Sequence, residues 1–262
     1  MFDLLLTRWK QGRRTMRYPD GPEPELPERF AGRPDVDPAK CAGACKTCEA
    51  VCPTGAIGFH ENRVQIDTGR CLFCRQCAAV CPTGAIRFSD DYRLAAARRD
   101  DLVVRDAAPR VAAALDRASQ RLFGRSLKLR QVSAGGCNAC EADVNVLGTV
   151  AWDLGRFGIQ MVASPRHADG LLVTGPVPEN MRLAVQKTYD AVPWPKLVIA
   201  VGACAISGGL YANRPETHNG VAGLLPVDVF VPGCPPHPLT VLHALLEALG
   251  RLPDLQMQRL PN

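Results

Sequence analysis

Residues 41–57 read CAGACKTCEAVCPTGAI, and residues 71–86 read CLFCRQCAAVCPTGAI. The octapeptide AVCPTGAI stands at 50–57 and again at 79–86, and the same offset carries Cys45, Cys48 and Cys52 onto Cys74, Cys77 and Cys81. The second copy, Cys71-x2-Cys74-x2-Cys77-x3-Cys81-Pro82, is the four-cysteine run that holds 4Fe–4S cubanes. Three thiolates on one tight loop wrap three corners of a cubane, and the fourth, followed by Pro, reaches across to the other cluster. The repeat therefore predicts one cluster on Cys41, Cys45, Cys48 and Cys81, and a second on Cys71, Cys74, Cys77 and Cys52. The first copy departs at Cys41-x3-Cys45, one residue longer than standard, with Gly43 placed to let the loop bulge. Paired C-x2-C knuckles are the zinc pattern, and two full runs each closed by Pro are not.

Four cysteines of the chain's twelve lie outside the repeat: Cys137, Cys140, Cys204 and Cys234. A C-x2-C pair with two distant partners closes a tetrahedral thiolate site, and spacing alone leaves zinc and an iron–sulfur cluster both open. Their contexts, GGCNAC, VGACAISGG and VPGCPPHP, put each thiol beside small residues whose backbone N–H groups can donate to sulfur. Pro235-Pro236 fixes the turn after Cys234.

From 125 onward, the apolar runs LKLRQV, IQMVAS, GLLVTG, KLVIAVG and VDVFVPG are short and rich in Val and Ile, and turn residues bound them. Helical stretches, such as 179–190 and 238–250, lie between them. This alternation predicts an α/β domain with a mainly parallel sheet, and the isolated cysteines fall after three of its strands, where such sheets bind ligands. Four divisions follow: 1–38, a short amphipathic helix and a Pro/Gly-rich extended linker; 39–90, an α+β two-cluster module; 91–124, an Ala/Arg-rich linker of one or two surface helices broken near Pro109; and 125–262, the α/β domain. In the first, Met1, Phe2, Leu5, Leu6 and Trp9 share one face with basic residues at its edges, a pattern open to docking on a partner or on a membrane surface.

A disulfide framework needs a secretory route, and MFDLLLTRWKQGRR places its apolar run before its basic cluster, the reverse of a signal peptide. Arg13-Arg14 is followed by no apolar stretch, and no run approaches membrane-spanning length. The expectation is a cytoplasmic, reducing setting. The formal charge of +5 counts cysteines as neutral. Three oxidised clusters on thiolates add about −6, which leaves no basis for nucleic-acid binding. The histidines, His60, His167, His218, His237 and His243, show no metal-ligand spacing, and the Gly-rich 207–209 lacks a phosphate-loop frame.

The N-terminal module, through about residue 90 and including the FAGRPDVDP approach to Cys41, resembles the two-cluster subunit of respiratory complex I and of formate hydrogenlyase. RSLKLRQVSAGGCNACEADV, SPRHADGLLVTGPV, PKLVIAVGACAISGGLY and DVFVPGCPPHP resemble the small subunit of membrane-bound nickel–iron hydrogenases, itself related to the B-type subunit of complex I. The resemblance implies a flavodoxin-like fold for the second domain. It also implies that Cys137, Cys140, Cys204 and Cys234 hold the cluster nearest the active site of a large partner subunit. Cys137-Asn-Ala-Cys140 and Glu141 follow the hydrogenase form, whereas the complex I relative has adjacent cysteines. Asp143 stands where both relatives usually have Glu. The expected protein carries three 4Fe–4S clusters and no catalytic site of its own, peripheral on the inner face of the cell membrane. Its expected partners are a hydrogenase-type large subunit, membrane subunits and a donor such as formate dehydrogenase, CO dehydrogenase or ferredoxin. The alternatives are a nickel-free, quinone-reducing or ion-pumping relative, and more remotely a zinc-binding scaffold.

Overall fold

The computed structural model describes residues 2–41, 45–105 and 126–252. The Gly43 bulge and the helices expected around Pro109 lie outside these residues. Helix α1 (Phe2–Gln11) buries none of its residues, and Phe2 and Trp9 are 76% and 81% exposed. No helix among the described residues is long and apolar enough to cross a membrane.

The cysteine repeat is one half of a larger structural repeat. Strand β1 (Pro34–Val36), helix α2 (Thr47–Ala50) and strand β2 (Ile57–His60) form the first unit. Strand β3 (Arg63–Asp67), helix α3 (Gln76–Ala79) and strand β4 (Ile86–Phe88) form the second. The units interlock: β1 pairs antiparallel with β4, and β2 pairs antiparallel with β3. Val36 and Ile66 are both buried, and each precedes an aspartate that folds the chain into its cysteine loop. Asp37 Oδ1 accepts the Ala39 N–H at 3.0 Å, and Asp67 Oδ1 accepts the Gly69 N–H at 2.9 Å. The repeat thus runs upstream through Val36-Asp37 and Ile66-Asp67, and its sheet crosses the boundary drawn at residue 39. Val36, Ile57, Val64, Ile66 and Ile86, with the buried Cys48 and Cys77, make the small core.

The segment expected as a surface linker after residue 90 is built into both halves. Residues 99–102 form a 3₁₀ turn, and strand β5 (Val103–Val104) pairs antiparallel with β3. Ala96 bridges Phe230 through two backbone hydrogen bonds of 3.0 and 2.8 Å. The expectation of surface helices fails over 91–105 because Tyr92, Ala95, Ala96 and Leu102 are buried against the second domain.

That domain carries a five-stranded parallel sheet in the order β10-β9-β8-β6-β7. Its strands are β6 (Leu127–Ser133), β7 (Ile159–Met161), β8 (Gly170–Thr174), β9 (Leu197–Val201) and β10 (Val229–Val231). All five coincide with the apolar runs. Every residue of β8, β9 and β10 is buried, as expected of parallel strands covered on both faces. Helices α4 (Ala139–Val146), α5 (Glu179–Ala191), α6 (Ala203–Ser207) and α7 (Pro238–Ala248) connect or follow the strands. The chain leaves β6 for β7 on one side and reaches β8 on the other, so the switch point of the topology lies between the carboxyl ends of β6 and β8.

Candidate metal centres

The twelve cysteines are all free of disulfides. Eight lie together in the N-terminal module and four in the second domain, and each feels others near it. Cys45 feels Cys81, and Cys48 feels Cys41 and Cys81. Cys71 feels Cys77, Cys52 and Cys74. Cys140 feels Cys204, Cys234 and Cys137. Cys77 feels Cys48 as well as Cys74 and Cys52, so the two repeats lie against each other. The thiols stand apart within each set: among the described residues no three His, Cys, Asp or Glu side chains close on a single ion.

The repeat places hydrogen-bond donors on sulfur at equivalent positions. Ala56 N–H donates to Cys52 Sγ at 3.2 Å, and Ala85 N–H donates to Cys81 Sγ at 3.3 Å. The hydroxyls of Thr54 and Thr83 lie 3.8 and 3.7 Å from the same two sulfurs. CPTGAI therefore encodes a turn that points both an amide and a hydroxyl at the crossing cysteine, with Gly55 and Gly84 at φ +60° and +62° completing it. Phe73 N–H donates to Cys71 Sγ at 3.2 Å, and Thr47 Oγ1 lies 2.9 Å from Cys45 Sγ. Thr47's hydroxyl and N–H hold the Cys45 thiol below its ordinary range. Burial, followed by like-charged neighbours, pushes Cys71 up to about 12, Cys77 and Cys204 up to about 11, and Cys140 up as well. Thiolates gathered in one place repel one another, and a cationic core among them would remove that cost.

The third set is assembled by the sheet. Cys137 and Cys140 follow β6, Cys204 follows β9 and Cys234 follows β10, all at carboxyl ends. Glycines give the thiols room. A Cβ on Gly202 (φ +91°) would lie 2.6 Å from Cys140 Sγ, and one on Gly209 (φ +54°) 2.9 Å from Cys204 Sγ. At the switch point itself sits Glu141, 4% exposed. Its Oε1 accepts hydrogen bonds from Ser133 Oγ at 2.7 Å and Thr174 Oγ1 at 2.6 Å, which ties the end of β6 to the end of β8. Burial raises this carboxyl, but the two hydroxyls and its own N–H outweigh burial and hold it below the usual carboxylate range. Sequence reading singled out Glu141 but not its partners, which lie 8 and 33 positions away.

Leu72 and Phe73, from the loop between Cys71 and Cys74, share one cleft of about 270 Å³ with Asp143, Cys234, His237 and Thr240. The loop that carries Cys71 also packs on α6: Ser207 Oγ donates to Gly69 O at 3.0 Å, and the α-carbon of Gly69 abuts Ile206. Burial pushes Asp143 up. His237 caps α7, its Nδ1 accepting the Leu239 N–H at 3.2 Å, while its ring meets Phe30 and Trp152 edge-on. His218 pairs with Glu179 at 2.5 Å, and His60 and His167 are exposed.

Residues 40–85 match the 4Fe-4S dicluster domain, and residues 137–248 match the family described as NADH ubiquinone oxidoreductase, 20 Kd subunit. The probable membrane-bound hydrogenase subunit mbhJ of Pyrococcus furiosus is 42% identical over 141 residues, 54% of this chain and 84% of that relative. Formate hydrogenlyase subunit 7 of Escherichia coli is 42% identical over 128 residues, 49% of this chain and 50% of that relative. An NADH-quinone oxidoreductase subunit of Clostridium beijerinckii is 43% identical over 112 residues, 42% of this chain and 66% of that relative. The chain belongs to the family of the 20 Kd subunit of NADH ubiquinone oxidoreductase, with a 4Fe-4S dicluster domain on its N-terminal side.

Proposed function

We propose that this chain is an electron-transfer subunit of a membrane-bound hydrogenase complex of the formate hydrogenlyase type, carrying three 4Fe–4S clusters. Cys41, Cys45, Cys48 and Cys81 hold the first, Cys71, Cys74, Cys77 and Cys52 the second, and Cys137, Cys140, Cys204 and Cys234 the third. The second domain is flavodoxin-like: counted from β6, its strand order is 2-1-3-4-5. The division into 1–38, 39–90, 91–124 and 125–262 is kept as part of this proposal, with the dicluster module extended to include β1.

The observation that carries this reading is the packing of the Cys71 loop on the helix that carries Cys204, which brings the dicluster module against the cysteines of the second domain. The thiols fit the group: sulfur donors in fours, amides and hydroxyls aimed at the crossing sulfurs, and glycines where a side chain would fill the cradle. A cluster of this kind supplies a site for one electron at a time. The residues of this chain set its surroundings. The Cys71 loop lies on α6 beside Cys204, so the second set is the inner member of the module and the first set the outer one. Exposed Cys45 puts the first set within reach of a donor. Exposed Cys137 and Cys234 turn the third set toward a partner surface. A hydrogenase-type large subunit fits that face. The donor is a formate or CO dehydrogenase or a ferredoxin, and membrane subunits hold the assembly on the inner face of the cell membrane.

The test is composition and activity of the complex purified anaerobically in mild detergent. The expected result is about twelve irons with matching acid-labile sulfide per chain. Nickel in the complex and hydrogen-dependent dye reduction are expected with it. Zinc without sulfide overturns the cluster assignment. An iron-replete complex without nickel or hydrogen activity overturns the hydrogenase assignment in favour of a quinone-linked relative.

A further inference from the structure

The N-terminal arm does not stay with the module that it precedes in sequence. Thr15 Oγ1 donates to Val150 O at 2.9 Å, and Met16 N–H donates to Ala151 O at 3.0 Å. Arg156 grips the arm from the second domain, with Nη1 on Met16 O at 2.6 Å and Nη2 on Tyr18 O at 2.8 Å. Met16, Leu26 and Phe30 pack on the same hydrophobic cluster that contains α7 of the second domain, and Tyr18 is part of that cluster. Only after this does the chain enter β1.

Tyr18 is the deepest point of the arm, 7% exposed. Its hydroxyl meets Nδ1 of His243 on α7 at 2.5 Å. His243 is itself 3% exposed, with its other ring nitrogen 3.8 Å from Glu247. Tyr92, from the segment leaving the module, sets its ring edge-on to both Tyr18 and His243, at centroid distances of 6.1 and 5.4 Å. Arg93 and Asp91 close the rim with an ion pair of 2.6 Å. A buried imidazole hydrogen-bonded to a buried tyrosine hydroxyl is a specific lock, because removing either partner strands the other without water. None of these residues belongs to a thiol set.

We propose that this arm and the Tyr92–Ala96 segment are a docking clasp. It holds the dicluster module on the second domain without need of the covalent stretch 106–125. The receiving surface, made by α7, the 150–157 loop and His243, fits one kind of partner: an extended segment presenting a tyrosine to the imidazole. Its occupant is this chain's own segment around Thr15–Tyr18. Tyr18, His243 and Arg156 are positioning residues, and their consequence for the second and third sets rests on the proposed function. The clasp itself does not.

The experiment places a specific protease site within 106–125 of the full-length, anaerobically purified protein and cuts it after folding. Size-exclusion chromatography and a dilution series then read the affinity between the two pieces. Retention at micromolar concentration is expected. Tyr18→Phe leaves His243 Nδ1 without its hydrogen-bond partner, and Arg156→Gln releases two carbonyls; each should weaken retention about tenfold or more. Deletion of residues 2–11 should change nothing. Separation of the cut wild-type pieces overturns the proposal, and so does unchanged affinity in the Tyr18→Phe, Arg156→Gln double variant. Iron content measured on the same samples reports on the cluster assignment separately.

Discussion

Glu141 offers a sharp test of how the third set is braced. Replacing it with Ala removes the acceptor of two hydroxyls. The losses differ, because Ser133 is exposed and can turn to water, whereas Thr174 is 0% exposed and retains only a 3.4 Å contact with Val132 O. A hydrogen bond to a buried charged group contributes about 1.5–3 kcal/mol, and a stranded buried hydroxyl costs about 1–3 kcal/mol. With Ser133 rehydrated and Thr174 partly rescued, Glu141→Ala should cost about 3 kcal/mol. For a chain of this size that is a drop in Tm of about 6–12 °C. Glu141→Gln keeps an acceptor in place and loses only the charge assistance, about 1 kcal/mol. The pH dependence has a fixed sign. A carboxyl held below its unfolded range stabilises above that range and loses the contribution as pH falls through the folded value. The gap between wild type and Glu141→Gln should therefore close on acidification below the ordinary carboxylate pKa. Anaerobic thermal scans of the three proteins across pH provide the measurement. Equal melting of the Ala and Gln variants, or a gap that widens in acid, refutes the bracing argument.

Glu247 should show the opposite sign: burial raises its carboxyl from 4.5 to about 7, so its contribution to stability is lost as pH rises through that interval. Glu247→Gln should match wild type near pH 4.5 and exceed it by up to about 3 kcal/mol above pH 7, and a pH-independent difference in Tm would contradict this. Gly202→Ala combines a positive φ with a contact on Cys140 Sγ, so iron analysis should show loss of about four of about twelve irons, all from the third set. Cys71→Ser should remove the second set's signal while the third set's persists, and loss of all iron would mean that the sets are not independent.

Much of this was legible in the chain, and the limits have physical causes. The dicluster module was readable because its cysteine pattern is local and repeats. The five parallel strands were readable because strands buried on both faces need unbroken apolar runs. The upstream half of the repeat was not read, since three residues at 34–36 in a Pro- and Gly-rich stretch carry no strand period; only the paired Val36-Asp37 and Ile66-Asp67 signal it. Strand order was carried only by resemblance, because nothing local in β7 says that it lies at the edge beyond β6. The arm was missed for the same reason: Tyr18 and His243 are 225 positions apart, and neither stands in a motif.

The two halves build four-thiol sites by different physics, and this sets how each one fails. In the module, the proposed sets take three thiols from one short loop and the fourth from the other repeat, so each would be defined by local turns plus one exchange. In the second domain the set exists only where β6, β9 and β10 end together. Between them β8 must end without a side chain: a Cβ on Gly175 (φ +86°) would lie 2.4 Å from Ala134 O and 2.6 Å from Gly136 N. The loop of Cys137 can approach only because that space is open, and Glu141 then fixes the approach by bonding Thr174 of the same strand. Register and packing of the whole sheet thus enter the third site, whereas they scarcely enter the first. Core substitutions in β8 or β9, such as Leu172→Ala or Ile199→Ala, should therefore erode the third set while leaving the first two loaded.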